Sequence, residues 1–174
     1  MLIKKDNIED LLYTYKHRKV VMFLANLYFD NEELIEQIKN HDMDKMYLLL
    51  FYEKKNINKF HRNMSTHHDN EIPKTKLDYI EMVLDWESAR YTKDDKPLNA
   101  YDTMNKYYPH LKEHILPILE KMDIAYSTLD KDNIIVEYVK TLNNVSLGDI
   151  KIELIEYINN SITKEKVKKN TRKI

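Results

Sequence analysis

Apolar and polar residues follow one another with helical spacing along most of the chain. Residues 6–29 form the first predicted helix, because apolar side chains recur there every three or four positions. A second helix begins at "DNEEL", where Asp30 can cap the helix and Glu33 can reach back to it, and ends near Asn40. The segment "MYLLLFYEKK" predicts a third helix. No clean run of strict alternation bounded by turns indicates a β-strand.

Prolines mark the helices that follow. Pro73 suits the first turn of a fourth helix over residues 73–91, and Pro109 suits the start of a fifth, which Pro117 kinks or ends. Two further helices are predicted near residues 131–142 and 147–160. The predicted fold class is therefore all-α, a bundle of about six to seven helices with a C-terminal helical appendage.

Composition divides the chain after about residue 126, where histidine disappears and Asn, Ile and Lys become more frequent. We expect residues 1–126 to form the functional core and residues 127–162 to form a helical extension. Residues 163–174 are expected to be a basic, flexible tail. A length of 174 residues is enough for one domain with a real core.

Composition also excludes several classes of function. One glycine, Gly148, leaves no P-loop and no dinucleotide-binding fingerprint, and the lack of cysteine excludes disulfides and thiolate nucleophiles. A net charge of −1 provides no overall field for nucleic acid, although the tail "KEKVKKNTRK" is basic. No apolar run is long enough to cross a membrane and the N-terminus lacks a signal sequence, so we expect a cytoplasmic protein. Oligomeric state has no signal in the sequence.

The histidines are unevenly distributed, and five of the seven lie between residues 17 and 68. His17 falls in the middle of the first helix, and His41 and Asp42 fall where the second helix ends. Two antiparallel helices would bring His17 near His41. The segment "FHRNMSTHHDNE", interpreted as a loop, carries the other three: His61, His67 and His68.

The fourth predicted helix is apolar on nearly every side, yet it carries Glu81 and Asp85 four residues apart on one face. Buried carboxylates are uncommon unless they are paired or bound to metal. Asp85 therefore completes a candidate histidine–aspartate site, whose ligands suit Mn, Fe, Co, Ni or Zn. Lys45, one turn beyond His41, and Arg90 are placed to face a phosphate.

Simpler interpretations remain open for each of these residues. Asp42 can be a cap on a polar helix terminus, and Glu81 and Asp85 can form ion pairs, for example with Arg90. The three histidines of the predicted loop can be solvated. The pair His110 and His114 in "HLKEH" is expected to lie on a solvated helix face, because two ligands do not make a site.

The motifs together resemble known families. "HDMDK" resembles the H-D-x-x-K signature of the HD superfamily, and "THHDNE" is similar to the paired-histidine segment of its two-metal phosphodiesterase members. A closer resemblance is to an uncharacterised bacterial and phage family of unknown function, with K-H, H-D-x-S-K, N-x-H-H and E-M-x-x-D-W motifs. Here they are "KH" at 16–17, "HDMDK" at 41–45, "RNMSTHH" at 62–68 and "EMVLDW" at 81–86. The resemblance covers roughly residues 10–122, with Asp44 where that family has serine.

The resemblance implies a helical, HD-like metalloprotein with one or two divalent transition-metal ions. The first ion would be held by His17, His41, Asp42 and Asp85, and a second by one or more of His61, His67 and His68. The implied activity is hydrolysis of a small phosphate ester such as a nucleotide or cyclic nucleotide. Lys45, Arg90 and Glu81 are the candidate catalytic residues. A di-iron oxygenase with the same ligands and a non-catalytic protein that binds a nucleotide or a host protein are the alternatives.

Overall fold

The structure is a computed structural model that describes residues 7–171, with side chains described as far as residue 161. The predicted all-α class is confirmed, since the described residues contain helices and no strand. The α-helices, in chain order, are α1 (Ile8–Tyr28), α2 (Glu32–Ile38), α3 (Met43–Leu49), α4 (Lys54–Met64), α5 (Lys76–Thr92), α6 (Ala100–Tyr107), α7 (Lys112–Lys121), α8 (Asn133–Thr141) and α9 (Leu147–Thr171). Within this described part, the helices outnumber the six to seven predicted.

One extra helix, α4, lies where the predicted third helix and the loop after it were wrong. Helix α3 ends at Leu49, and the polar segment after it forms α4. Helix α4 is mostly polar and buries only Ile57 and His61, so the helical spacing of Ile57, Phe60 and Met64 was overlooked in the sequence. His61 consequently lies in the last turn of a helix and not in a loop. Helix α6 was also missed, because only Ala100 and Met104 are buried in it.

Polar side chains determine where several helices begin. Asn31, and not Asp30, caps α2 by accepting a hydrogen bond from the Leu34 backbone N–H. Helix α5 begins at Lys76, after Pro73, with Thr75 and Asp78 forming a reciprocal capping box.

The later prolines have the positions expected of them, with one difference. Pro109 opens a short 3₁₀ helix, Pro109–Leu111, which leads directly into α7. Pro117 lies inside α7 without ending it.

Two apolar clusters hold the helices together. The larger joins α1 and α5 with α2, α6, α7 and α8, through residues such as Leu24, Leu84 and Ile115. The smaller joins the start of α1 to α3, α4 and α9. Ile135 of α8 belongs to the larger cluster and Leu154 of α9 to the smaller. Residues on both sides of the predicted boundary at 126 therefore share the same cores. The side chains of the basic tail lie outside the described residues.

Among the helices of the described residues, none combines the length and apolar character needed to cross a bilayer. Helices α1 and α5 run against each other through the centre of the molecule, and both bury polar residues as well as apolar ones. His17 of α1 and Glu81 of α5 are among these buried polar residues. This central pair of helices therefore positions the candidate site.

Candidate metal centre

Four regions that are distant in sequence bring histidines and carboxylates to one place. Helix α1 contributes one histidine, the turn between α2 and α3 contributes the adjacent His–Asp pair, α4 and the segment after it contribute three histidines, and α5 contributes two carboxylates. We call this group the histidine–carboxylate cluster: His17, His41, Asp42, His61, His67, His68, Glu81 and Asp85. All are buried except His68 and Asp85, which are half-buried.

Asp42 occupies the N-cap position of α3, but its side chain makes no capping hydrogen bond. The interpretation of Asp42 as a helix cap is therefore wrong. Its backbone is left-handed, with φ 54° and ψ 12°, a conformation that aspartate tolerates better than most residues. The carboxylate points into the cluster, where Oδ1 lies 2.7 Å from His61 Nε2 and 3.6 Å from His67 Nε2. Asp42 Oδ1 also lies 3.9 Å from His41 Nε2, so Asp42 lies between two groups of histidines.

Asp85 approaches the cluster from α5. Its Oδ1 lies 2.7 Å from Nε2 of His17 and 3.7 Å from Nε2 of His41. The other nitrogen of His17, Nδ1, is 3.0 Å from Ser88 Oγ and 3.4 Å from Thr92 Oγ1. Ser88 and Thr92 follow Asp85 by three and seven residues, so all three side chains lie on one stripe of α5.

Glu81 contacts two histidines of the cluster through their Nδ1 atoms. Its Oε1 lies 2.8 Å from His41 Nδ1 and 3.2 Å from His67 Nδ1, and Gln37 Nε2 donates a 2.6 Å hydrogen bond to its Oε2. A carboxylate on Nδ1 fixes the tautomer of an imidazole and leaves Nε2 as the free nitrogen. Glu81 therefore orients the Nε2 atoms of His41 and His67 towards the interior of the cluster.

Asp44 gives His61 the same kind of support. Asp44 Oδ2 lies 2.9 Å from His61 Nδ1, and Ser65 Oγ lies 3.0 Å from the same nitrogen. The Nε2 atom of His61 then faces Asp42. Neither Asp44 nor Ser65 was among the predicted site residues, because nothing in the sequence indicates which polar neighbour supports a histidine ring.

Several buried atoms in the cluster have no hydrogen-bond partner among the described residues. These atoms, which face the other residues of the cluster, are His41 Nε2, His61 Nε2, His67 Nε2, His68 Nε2 and Asp42 Oδ1. The close approach of His61 to Asp42 therefore lacks the angles of a hydrogen bond. Each unsatisfied buried polar group costs roughly 1–3 kcal/mol, so a concentration of them requires a reason. Imidazole nitrogens and carboxylate oxygens are donor types that transition metals accept, so these converging atoms could hold a metal ion.

The same atoms fall into compact sets of three. One set is His17, His41 and Asp42, a second is His61, His67 and His68, and a third is His41, His67 and Glu81. Within each set, one ligand atom from each residue lies within 4.8 Å of the others. The first two sets lie within the two groups of ligands that the family resemblance implies, although the first lacks Asp85 and the third combines His41 and His67 from both groups. Buried groups of this kind could hold a metal ion.

The carboxylates make the cluster strongly favourable to positive charge. Burial opposes protonation of His41, but Asp42, Asp85 and Glu81 outweigh it and raise the pKa of His41 to about 10. Burial likewise opposes ionisation of Asp85, yet contacts with His17 and His41 hold its pKa well below the usual range. His68 differs, since burial lowers its pKa to about 3 and keeps its ring neutral. The cluster therefore favours cations, and the neutral ring of His68 could serve as a ligand for one of them.

The predicted catalytic residues have different positions relative to the cluster. Lys45 lies beside it, with Nζ 3.4 Å from Asp42 Oδ2. Glu81 lies inside it, as described above. Arg90 lies elsewhere, because its guanidinium contacts Glu87 and the backbone oxygen of Asp130. Five residues after Asp85 corresponds to a rotation of about 140° around a helix, which turns Arg90 away from the site.

The remaining two histidines stay outside the cluster. His110 is exposed and lies 3.1 Å from Asp69 through its Nε2 atom. The ring of His114, which is also exposed, stacks on Tyr79 at 4.5 Å. Both positions agree with the solvated helix face expected for "HLKEH".

Comparison of the chain with protein-family models, with curated proteins and with solved structures finds no match.

Proposed function

We propose that the histidine–carboxylate cluster binds one or two divalent transition-metal ions and that the protein uses them to hydrolyse a phosphate ester. The observation that carries this proposal is the set of inward-facing Nε2 atoms, buried and without hydrogen-bond partners among the described residues. Structural histidines in protein cores normally have both ring nitrogens satisfied. A group of unsatisfied rings around buried carboxylates is explained by a cation that they share.

The donor atoms fit such ions in type and in number. His17, His41, Asp42 and Asp85 would hold the first ion. His61, His67 and His68 would hold the second, with Asp42 between the two. Nitrogen and oxygen ligands of this kind suit Mn, Fe, Co, Ni and Zn. When bound, these ions lower the pKa of water and polarise phosphoryl oxygens.

The protein's own residues have two kinds of role in this proposal. Glu81 and Asp44 hold the tautomers and directions of His41, His67 and His61, so they are positioning residues. Lys45 lies at the edge of the cluster, where its ammonium group stabilises negative charge on a phosphate. Arg90 has no part in the site, because its contacts lie on another face of α5.

Two further observations support the proposal without identifying the substrate. The residues that converge are those for which the HD resemblance implies metal binding, and they do so from distant parts of the sequence. Lys45 and the ligand candidate Asp85 are also partly exposed, by 20% and 19% of their side chains, so solvent reaches the edge of the cluster at both residues. A small phosphorylated molecule such as a nucleotide or cyclic nucleotide fits this arrangement. The same donors suit a di-iron oxygenase, so the identity of the metal decides between the two activities.

Elemental analysis of purified, untagged protein tests the proposal first. We expect one or two equivalents of transition metal by inductively coupled plasma mass spectrometry. With Mn, Co, Ni or Zn, the protein should hydrolyse p-nitrophenyl phosphate or bis(p-nitrophenyl) phosphate. Iron with substrate-dependent oxygen consumption would instead identify an oxygenase. Absence of metal in the isolated protein and no binding of added ions would overturn the proposal in favour of a non-catalytic binding protein.

A further inference from the structure

A second lysine, Lys93, lies close to the cluster and was not among the predicted site residues. It is the C-cap residue of α5 and follows Thr92, whose hydroxyl is 3.4 Å from His17 Nδ1. The Lys93 ammonium group lies 4.5 Å from the centre of the Tyr13 ring. Tyr13 in turn stacks on His17, with ring centres 5.8 Å apart and planes at 23°. Two contacts thus connect Lys93 to His17 of the cluster: the Tyr13 ring, and the preceding residue Thr92.

The surroundings of Lys93 are unusual for a surface lysine. The side chain is half-buried, and no carboxylate of the described residues lies within ion-pair distance of it. Burial and the charges of Lys45, Lys54 and Lys96 lower the pKa of Lys93, while Asp95 is the acidic group whose charge opposes them. Lys54 is paired with Asp10. Lys45 lies 3.4 Å from Asp42, and Lys93 lies over the Tyr13 ring that stacks on His17. Since His17 and Asp42 belong to one compact set of the cluster, the two ammonium groups flank the same part of it.

Helix geometry alone explains part of this arrangement. The C-terminus of a helix favours a cation, and an aromatic face attracts an ammonium group. Both effects would hold equally for a fully exposed lysine. They do not account for a second cation nearby at Lys45, or for the connection of Tyr13 to a predicted ligand. An anion bound between the two lysines accounts for both, because it would neutralise two partly desolvated charges at once.

We propose that Lys45 and Lys93 together form a binding site for a dianionic phosphate group at the edge of the histidine–carboxylate cluster, with Tyr13 as the ring that positions Lys93. The proposal rests on the metal-dependent function above and narrows its substrate class to phosphate monoesters. Two ammonium groups match the double charge of a monoester better than the single charge of a diester. Lys93 is then a substrate-binding residue and Tyr13 a positioning residue.

The test is isothermal titration calorimetry of the metal-loaded protein with inorganic phosphate at constant ionic strength. Dimethyl phosphate, which carries a single charge, is titrated in parallel. Lys93→Met is expected to weaken phosphate binding by about tenfold, as loss of one charge-assisted contact implies. Dimethyl phosphate should bind more weakly than phosphate and respond less to the substitution. Metal content, measured on the same samples, should not change.

Lys121→Met is the matched control. Lys121 also lies over an aromatic ring near a helix C-terminus, with Nζ 4.7 Å from the centre of the Phe29 ring. It has no contact with the cluster among the described residues, so phosphate affinity should stay within about twofold of the parent protein. Lys93→Arg keeps the charge and should retain most of the affinity. If Lys93→Met does not fold, Lys93→Gln replaces it. Tyr13→Leu, which removes the supporting ring, should weaken phosphate binding less than Lys93→Met does.

The outcomes separate this proposal from the one on which it rests. If the protein binds metal but binds no phosphate, or if Lys93→Met and Lys121→Met have equal affinities, the phosphate site is wrong and the metal site stands. If the protein binds no metal, the proposed function fails. Phosphate titration of that metal-free protein then still decides the matter, since binding weakened by Lys93→Met supports the anion site and no binding overturns it.

Discussion

Helix α5 buries charged residues on two faces, and the two faces are built differently. On the face towards the cluster, Glu81 and Asp85 contact histidines whose Nε2 atoms are unsatisfied. On the other face, Glu87 accepts a 2.8 Å hydrogen bond from the Ala100 backbone N–H and lies 3.5 Å from Arg90. Arg90 also donates to the backbone oxygen of Asp130. Of that second group, Arg90 Nε is the atom left without a partner in the described residues.

The two glutamates show what this difference means. Burial raises the pKa of Glu87, and the Ala100 N–H and Arg90 only partly offset it. Burial also acts on Glu81, but His41 and His67 outweigh it and lower the pKa of Glu81. The surroundings of Glu87 thus disfavour its negative charge, whereas His41 and His67 favour the negative charge of Glu81. Burial of an acid is therefore weak evidence for function, whereas converging nitrogens without partners are stronger evidence.

Among the substitutions that test this difference between the two faces of α5, the largest effect is expected at Asp42. Asp42→Asn keeps a residue that tolerates the left-handed backbone but removes the negative charge between the two groups of histidines. We expect metal affinity to fall by roughly a thousandfold or more, with an unchanged helical circular dichroism spectrum. Metal content after dialysis against trace metal measures the loss.

Asp123→Asn is the control for this change, since Asp123 is the other non-glycine residue with positive φ in the described part, at 56°. It should bind metal like the parent protein. Full metal occupancy in Asp42→Asn would remove the basis of the metal site.

On the opposite face of α5, Arg90→Met is expected to affect stability instead. It leaves Glu87 buried without its guanidinium partner, which should lower the free energy of unfolding by about 3 kcal/mol. Urea denaturation measures this change. Metal content and any hydrolytic rate per folded molecule should stay at the parent level.

The double variant Glu87→Gln with Arg90→Met should recover part of that stability, because no charge then remains unpaired. A hydrolytic rate that falls with Arg90→Met while stability is retained would restore Arg90 as a candidate catalytic residue.

A matched pair of substitutions on one helix sharpens the comparison further. Glu81→Gln cannot accept from His41 and His67 as a carboxylate does, so metal affinity should fall by about 10–100-fold. Glu87→Gln should leave metal affinity unchanged, because Glu87 contacts no cluster residue. Calorimetric titration with the metal found in the native protein measures both. Equal losses in the two variants would show that the faces do not differ in the way described.

The smallest effect is expected at the contact between α9 and α1. Glu153 lies 2.7 Å from Arg18 and also pairs with Lys19. Burial opposes ionisation of Glu153, but hydrogen bonds from Lys19 and Arg18 lower its pKa below the ordinary 4.5. Glu153→Gln should lower the free energy of unfolding by about 1–2 kcal/mol near neutral pH, measured by urea denaturation.

The dependence of this effect on pH follows from the sign of the pKa change. A carboxyl group with a lowered folded pKa stabilises fully above its unfolded pKa, and this stabilisation is lost as pH falls through the folded pKa. The difference between Glu153→Gln and the parent protein should therefore shrink as pH decreases below about 4.5. Glu156→Gln, an exposed position on the same helix, should show little effect at any pH. A difference that grows in acid would contradict this assignment.

The fold class and the central helices could be predicted because their apolar periodicity is strong. Helix α1 and helix α5 lie close to their predicted bounds, and Glu81 and Asp85 share one face as their spacing required. Helix α4 was not predicted, since its residues are mostly polar and only two of them are buried. The helical spacing of Ile57, Phe60 and Met64 was the available signal, and overlooking it led to the placement of His61 in a loop.

The histidines and carboxylates that converge could be predicted from the sequence, whereas the residues that support them could not. Histidine and aspartate carry a chemical signal in any context, whereas Asp44 and Ser65 gain their role only from the packing of α3 against α4. Arg90 is a different case, because helical phase alone places it away from Asp85. Lys93 lies beyond the last residue of a predicted helix, where the direction of a side chain depends on the cap that the structure reveals.

Asp78 connects helix α5 to the segment that carries His67 and His68. Its carboxylate completes the cap of α5 and also accepts a hydrogen bond from Thr66, directly before His67. The segment that carries His67 and His68 is thereby tied to the helix that carries Glu81 and Asp85 through protein contacts alone. On the proposed metal-binding function, we therefore expect the cluster to form before an ion binds, in contrast to zinc fingers, which have no structure before they bind. Ions would then exchange in the folded protein, at rates set by their access to the cluster and not by unfolding.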